Sequence, residues 1–449
     1  MLATDVRIAD VSFGYEDYLY RTPIKFGGVA LDRATILNVN LTVETRSGRS
    51  AAGFGSMPLG NAWAFPSRQL TYDQTLGAMK HLATAFRVTA QDCTEFGHPV
   101  ELGHALEPRF LAHLVPVGAE LGLAEPVPVL AGMVTASPFD AALHDAYGKS
   151  QGLSCYRTYG PEFLPHDLGR YLGREFAGDT LDRYVLPDPK PRMPLYHLVG
   201  ALDPLTAADV QNPVADGLPE TLGEWITRDG LTHLKIKLNG DDLGWDVDRV
   251  VAVNRVAEEV RRRAGSAWWY SLDFNERCRT VAYLVEFLRR LREAAPAAYD
   301  RVQYVEQPTA RDLNTNRQNV MHEAAALKPV VIDESLTDLG SLHLAREMGY
   351  TGVAFKACKG QTQTLLLAAA AQKYGLFRCV QDLTCVGASL VHSAGIAAHI
   401  PGVAAIESNG RQYCPAANAG WDARFPGVFT VRDGAMNTAI LDGPGLGAV

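Results

Sequence analysis

Between residues 232 and 359 the sequence repeats one pattern five times, a short apolar run that ends in a charged residue. The five runs are T-H-L-K-I-K-L, W-W-Y-S-L-D-F-N, R-V-Q-Y-V-E-Q-P, P-V-V-I-D-E-S and G-V-A-F-K. They recur about every 30 residues, the length that a strand, its crossover helix and two loops occupy. We therefore predict an α/β fold of consecutive βα units, a (β/α)₈ TIM barrel.

The charged ends of these runs predict a single pocket, because active sites of such barrels lie at the C-terminal ends of the strands. In the first run, Lys235 and Lys237 are two residues apart and share a face, while Leu234 and Ile236 point the other way. Both lysines should therefore face the barrel axis.

Counting the Lys237 strand as the second, the next three strands end in Asp273, Glu306 and Asp333, and the sixth ends in Lys356. Strands two and six lie opposite each other in a ring of eight. Three convergent carboxylates repel one another and require a proton or a cation between them. A hard, all-oxygen ligand set without Cys or His favours Mg²⁺, so we predict a magnesium site at these three residues.

Each residue taken alone has a simpler explanation. A lone Asp at a strand end is commonly a helix N-cap. A lone inward lysine could be a structural ion-pair partner or the Schiff-base lysine of an aldolase-type barrel. The regular spacing of the whole set favours the joint site of metal and lysines. A Schiff-base aldolase barrel, which would leave the three acids unexplained, and a non-catalytic barrel remain as alternatives.

The motifs K-I-K, D-F-N, V-E-Q-P and I-D-E-S resemble the enolase superfamily, and within it the mandelate racemase and muconate-lactonizing group with two lysines. The resemblance extends to S-P-F-D-A-A-L-H-D-A-Y-G-K-S-Q-G-L at 137–153 and to G-P-G-L-G at 443–447. It implies a Mg²⁺-dependent enzyme, an isomerase or lyase, that removes the proton α to the carboxylate of a small molecule. Homo-oligomers are common in that family, and we expect one here.

In this mechanism Lys237 and Lys356 are the acid/base groups on opposite faces of the substrate, and Lys235 holds the carboxylate and stabilises the enolate. Racemisation, epimerisation and cycloisomerisation all fit two opposed bases, and lysine-based β-elimination of an acid sugar is an alternative. Strand seven offers Gln381 and Asp382 without a matching His, which argues against His-dependent dehydratases. Lys359 remains a second candidate for the base on strand six.

Several further residues flank the predicted ligands or line the predicted barrel mouth. We assign them to substrate binding or to the support of the ligands: Asn275, Glu334, Gln381, Asp382, Glu407, Ser408, Tyr20 and Lys25. His197 and His233 are interpreted as packed or barrel-lining histidines and not as catalytic groups.

Length and composition indicate a globular protein, with 449 residues, 47% of them apolar. A net charge of −8 argues against nucleic acid as a partner. Met1 to Asp10 lacks an apolar core and no run approaches a membrane span, so we expect no membrane association and a cytoplasmic location. Seven cysteines without a C-x-x-C pair fit a reducing compartment.

Residues 1–131 lack the βα rhythm and predict an α+β capping domain, completed by about 415–449, before a barrel at 132–414 with an insertion at about 157–192. We predict a strand at 34–45, helices at 71–88 and 100–115, and a helix that begins after Pro138 and runs to 148. Residues 13–28 and 56–67 are interpreted as lid loops over the barrel mouth. The other barrel strands are predicted at 193–199, 376–382 and 403–409.

Overall fold

The computed structural model describes residues 2–26, 29–261 and 267–447 of the chain. The N-terminal part is a three-stranded antiparallel sheet in the order β1-β2-β3. Its strands are β1 Val6–Phe26, β2 Val29–Thr45 and β3 Ser50–Pro58. Four helices follow it: α1 Asn61–Ala64, α2 Tyr72–Gln91, α3 Pro99–Leu111 and α4 Leu114–Glu120.

The predicted lid loop at 13–28 is wrong as a loop, because residues 13–26 belong to β1 and pair with β2, apart from an irregularity at 20–23. Phe13 and Tyr15 are partly buried between exposed neighbours, which suits a strand with one face on a core. Residues 27 and 28 lie outside the described part of the chain. The hairpin nevertheless reaches the barrel: Ile24 and Leu31 pack against Leu198 and Tyr413.

The helix predicted from Pro138 begins nine residues earlier, as α5 Val129–Gln151. Proline inside a helix removes one N–H, which leaves the carbonyl four residues back without its usual donor. Here the hydroxyl of Ser137 donates to the carbonyl of Val134 at 2.8 Å, so the helix continues through Pro138. Gly152 ends it in the left-handed conformation.

Eight parallel strands form the barrel, and its first and last strands pair to close the ring. In chain order they are β4 Arg192–Val199, β5 His233–Lys237, β6 Trp269–Asp273, β7 Val302–Glu306, β8 Val330–Ile332, β9 Gly352–Phe355, β10 Phe377–Val380 and β11 Val403–Glu407. All eight strand predictions and the fold class are confirmed. A further strand, β12 Ala435–Asn437, pairs antiparallel with β4.

Helices surround the barrel. They are α6 Gly169–Leu172, α7 Leu222–Asp229, α8 Leu243–Arg261, α9 Val281–Ala294, α10 Pro296–Asp300, α11 His322–Leu327, α12 Leu339–Glu347, α13 Gln361–Lys373, α14 Gly387–His399, α15 Gly410–Tyr413 and α16 Trp421–Arg424. In the described ranges, no helix combines the length and the apolar character that a membrane span requires.

A buried layer closes the barrel interior beneath the predicted site. Its members are Tyr196, Tyr304, Val331, Ala354, Cys379 and Ala405. Five of these side chains lie two residues before Glu306, Asp333, Lys356, Gln381 and Glu407 along their strands. Because side chains alternate along a strand, the polar residues point into the barrel above this layer.

The N-terminal sheet rests directly on α5 at two glycines of β3. A methyl group added to Gly55 would lie 1.8 Å from the carbonyl oxygen of Pro138, and one on Gly53 would lie 2.1 Å from that of Ala142. The contact therefore depends on the absence of side chains at these positions.

We expect Gly55→Ala to lower the free energy of unfolding by about 3 kcal/mol, because the added methyl group must push β3 away from α5. Gly14→Ala is the matched control, since nothing lies within 4 Å of its added carbon; its effect should stay within about 0.5 kcal/mol. Urea unfolding monitored by circular dichroism measures both. Equal effects of the two changes would contradict the close packing of β3 on α5.

Candidate functional site

Three buried carboxylates lie side by side where neighbouring barrel strands end. Asp273 and Glu306 are the last residues of β6 and β7 and are paired in register. Asp333 directly follows β8, and all three side chains are buried. The row that the sequence predicts is thus present at the C-terminal mouth of the barrel.

An ammonium group binds each end of the row. The Nζ of Lys237 lies 2.5 Å from Oδ2 of Asp273. On the other side, the Nζ of Lys356, which directly follows β9, lies 2.8 Å from Oδ2 of Asp333. Both lysines are buried, so these ion pairs are shielded from solvent.

Lys235 lies deeper in the barrel and joins its own strand, β5, to the C-terminal ends of β7, β10 and β11. Its Nζ donates to Glu306 at 2.8 Å, to the amide oxygen of Gln381 at 2.8 Å and to Glu407 at 2.9 Å. Asp273 lies 3.1 Å away. Lys235 therefore lies at the centre of a fully buried network of charges.

The surroundings of Lys235 and Lys356 raise the pKa of each side chain, whereas those of Lys359 lower it. Burial alone would lower the pKa of Lys235, but Glu306, Glu407 and Asp273 outweigh it and raise the pKa well above its usual value. Burial also opposes the charge of Lys356, yet Asp333 raises its pKa. For Lys359, burial dominates and the pKa is lowered.

The negative charge of the middle carboxylate, Glu306, is the least stabilised of the three. Burial raises the pKa of Glu306 well above its usual value, and the charges of Asp273 and Asp333 raise it further, against the attraction of Lys235. Burial alone would also raise the pKa of Asp273 and Asp333, but their lysine partners outweigh burial, and the pKa of each is lowered. Glu306 also keeps one buried oxygen, Oε2, without a hydrogen-bond partner in the described part of the chain.

The chemistry of these residues suits a hard divalent cation. Three carboxylates are adjacent, and the central one is repelled by its neighbours and has an oxygen without a hydrogen-bond partner among the described residues. Among the described residues, no three Asp, Glu, His or Cys side chains lie in an arrangement that could hold a metal ion. Lysine ammonium groups instead pair with the two outer carboxylates.

The structure places both lysines of strand six near the row but gives them different partners. Lys356 contacts the carboxylate of Asp333, whereas Lys359 donates mainly to the Asp333 backbone oxygen, at 2.6 Å. The indole ring of Trp63 covers Lys356, with its centroid 4.1 Å from the Nζ, and its N–H donates to Glu334 at 2.8 Å. Trp63 lies within the predicted lid segment 56–67, but nothing in its local sequence indicates a contact with Lys356.

Three of the other predicted site residues contact Lys235 or Trp63. Gln381 and Glu407 contact Lys235, and Glu334 contacts Trp63. Burial, with Asp333 and Glu276, raises the pKa of Glu334 to about 8. Asp382 instead binds the backbone N–H groups of Cys385 and Asn409, so it organises the ends of strands seven and eight.

Ser408 is buried, and its hydroxyl has no hydrogen-bond partner among the residues that the structure describes. Asn275 donates its backbone N–H to Asp273 at 2.8 Å and has a positive φ of 45°. Lys25 and Asn275 line a pocket of about 140 Å³ together with Lys237. Tyr20, on β1 of the hairpin, packs against the apolar group that contains Leu198.

His197 and His233 are packed, as predicted. His197 is buried against Trp225 and lies within hydrogen-bond distance of Arg411 and Gln412. His233 lies edge-on to Tyr196 in the lower barrel.

We expect Glu306→Gln to raise the melting temperature of the metal-free protein at pH 8. A carboxyl whose pKa is raised on folding stabilises the fold fully only below its unfolded pKa, near 4.5, and loses that contribution as the pH rises through the folded value. The neutral amide removes this loss, so the gain should vanish at pH 4.

The measurement is thermal unfolding in EDTA at both pH values, with Glu44→Gln on the exposed face of the N-terminal sheet as the control. A lower melting temperature for Glu306→Gln at pH 8 would contradict the repulsion at Glu306.

Comparison with known proteins agrees with this architecture. Residues 218–449, just over half of the chain, match a family model described as enolase C-terminal domain-like. No curated protein sequence matches the chain.

Among solved structures, the L-Ala-D/L-Glu epimerase from Bacillus subtilis is 17% identical and covers 99% of both chains with a TM-score of 0.63. The dipeptide epimerase from Enterococcus faecalis V583, complexed with Mg and L-Leu-L-Tyr, is 16% identical and covers 98% of this chain and 99% of its own, with a TM-score of 0.61. A racemase from Streptomyces coelicolor A3(2) with bound magnesium is 18% identical, with 98% and 97% covered and a TM-score of 0.58.

At these identities the structural likeness shows a shared fold, while the family match extends to the barrel strands that carry the site. The chain belongs to the enolase superfamily, through its enolase C-terminal domain-like barrel.

Proposed function

We propose that this protein is a Mg²⁺-dependent enzyme that removes the proton α to the carboxylate of a small-molecule substrate and then racemises, epimerises or cycloisomerises it. The observation that carries the proposal is the arrangement of two buried lysines, Lys237 and Lys356, at opposite ends of one row of carboxylates. Opposed bases are what a reaction at both faces of one carbon needs.

Asp273, Glu306 and Asp333 are the residues that would hold the metal. Magnesium would supply positive charge to the substrate carboxylate and so stabilise the negative charge that develops when the α-proton leaves. The unsatisfied oxygen of Glu306 and the repulsion around it support this assignment. So do the magnesium ions in the solved structures of the dipeptide epimerase and the racemase.

Four lysines near the carboxylate row would have different roles. Lys237 and Lys356 lie on strands two and six, across the barrel, and each would exchange a proton with one face of the substrate carbon. The carboxylates of Glu306, Glu407 and Asp273 raise the pKa of Lys235, so it would stay charged and donate hydrogen bonds to the developing enolate. Lys359, bound mainly to a backbone oxygen, would support Asp333 and not act as a base.

The hairpin of β1 and β2 and the Trp63 segment would exclude water from this site. Ile24 and Leu31 pack on Leu198, whose register partner on the next strand is Lys235. Trp63 covers Lys356 from the other side. Removing water strengthens every charge interaction in the site and prevents loss of the abstracted proton.

We expect α-deuterium exchange when carboxylic acids such as dipeptides, N-acyl amino acids, mandelates, muconates and acid sugars are incubated with the protein and Mg²⁺ in D₂O. EDTA should abolish the exchange. Lys237→Ala and Lys356→Ala should each slow exchange from one stereoisomer by about 10³-fold, because each removes one general base. Proton NMR of separate stereoisomers measures this.

Lys359→Ala is the matched control and should slow exchange by less than about tenfold. If Lys359→Ala abolished exchange while Lys356→Ala retained it, the assignment of the second base would be wrong. If no acid exchanged in a protein that binds Mg²⁺, or if exchange survived EDTA, the proposed function would be contradicted.

A further inference from the structure

Lysine side chains have four rotatable bonds, so a lysine base is accurately placed only if the backbone that carries it is fixed. A displacement of about 1 Å can cost about 10²-fold in rate. Lys237 is the last residue of β5 and Lys356 directly follows β9, so the chain leaves its barrel strand at each lysine. The backbone segments that follow them are each bound by an aspartate from a helix outside the catalytic cluster.

After Lys237 the chain makes a tight turn that Asp246, in the first turn of α8, holds in place. The Asp246 carboxylate accepts the backbone N–H groups of Asn239 at 2.7 Å and Gly240 at 3.0 Å, and the hydroxyl of Tyr283 at 2.6 Å. Asp246 is fully buried. Gly240 has a φ of 74°, and an added side-chain carbon would lie 2.7 Å from Arg277, so this turn requires glycine.

After Lys356 the chain forms one short turn and enters α13, and Asp140 of α5 holds that entry. Its carboxylate accepts the backbone N–H of Thr362 at 2.7 Å and the Thr362 hydroxyl at 2.8 Å. Within α13, the hydroxyl of Thr364 donates to the carbonyl of Lys356 at 3.1 Å. Asp140 is thus connected to Lys356 through the first turn of α13.

From these contacts we infer that Asp246 and Asp140 are positioning residues, one for each catalytic lysine, and that each acts on its own lysine alone. The inference rests on the proposed function, because it assigns a purpose to the placement of the two bases. The two aspartates belong to different helices and share no contact, so their effects should separate.

Asp145 offers a matched control on the same helix as Asp140. It is fully buried, accepts two backbone N–H groups, from Phe54 at 2.9 Å and Leu446 at 2.8 Å, and pairs with the ammonium group of Lys149 at 2.7 Å. Those segments belong to the N-terminal sheet and the C-terminal end, not to a lysine turn. Its loss removes two backbone hydrogen bonds and one ion pair, none of which involves Lys237, Lys356 or the turns that follow them.

The experiment measures how fast each lysine of the folded protein is acetylated by N-hydroxysuccinimidyl acetate, followed by peptide mass spectrometry. Asp246→Ala should raise the rate at Lys237 by about tenfold and leave Lys356 within about twofold, because only one turn is loosened. Asp140→Ala should do the reverse. Asp145→Ala should show no selectivity between the two lysines.

Two milder variants keep the test usable if an alanine variant does not fold. Tyr283→Phe removes one of the three bonds of Asp246, and Thr362→Val removes the hydroxyl that Asp140 accepts. Each should show the same selectivity with a smaller amplitude. Equal reactivity changes at both lysines, or none at either, would overturn the inference.

The acetylation readout needs no substrate, so it is independent of the proposed reaction. A selective pattern in a protein that exchanges no α-proton would contradict the proposed function and leave the positioning contacts established. Lysine-dependent exchange without selectivity would overturn only the positioning role. With an exchanging acid in hand, Asp246→Asn should slow the same stereoisomer as Lys237→Ala, with a larger effect on kcat than on KM.

Discussion

Repulsion between three carboxylates buried side by side is the interaction on which the rest of the barrel mouth depends. Asp273, Glu306 and Asp333 lie on adjacent strands, and water cannot screen them. Burial of like charges is tolerated only when cations or protons intervene. Lys237 and Lys356 supply part of this compensation, but the ionised form of the central Glu306 remains unfavourable. That imbalance is what a bound divalent cation would relieve.

The surrounding structure keeps this charge arrangement dry and in register. Strand pairing sets Lys237 beside Asp273 and Asp273 beside Glu306. The N-terminal hairpin covers one side of the mouth with apolar side chains, while Trp63 covers the other with an aromatic ring that also suits a neighbouring ammonium group. A low-dielectric site strengthens charge interactions. The packing that disfavours the negative charge of Glu306 would therefore also strengthen metal binding.

The barrel was predictable because its information is local: each strand is a short apolar run, and each site residue ends one at regular spacing. Lys235, Lys237, Asp273, Glu306, Asp333 and Lys356 are all found where that pattern indicates. The length of the β1–β2 hairpin was not predictable in this way, since glycines and aromatic residues suit a loop as well as a strand. The start of α5 was missed because proline usually marks a helix start, and only a serine hydroxyl compensates for it within the helix.

Contacts between distant parts of the chain could not be predicted from the sequence for a different reason. Trp63 meets Lys356, and Asp140 meets Thr362, across hundreds of residues, and nothing in their local sequence indicates these pairings. Asp246 lies within a charged run that reads as a solvated helix face, yet it is fully buried.

The most direct test of the central claim is isothermal titration calorimetry of the purified protein with MgCl₂ at pH 8. The account predicts one magnesium ion per chain in the wild type, and loss of that binding in Asp273→Asn and in Asp333→Asn, each of which removes the charge of one outer carboxylate. Absence of magnesium binding in the wild type, or retention of full affinity in both variants, would contradict the assignment of the carboxylate row as a metal site.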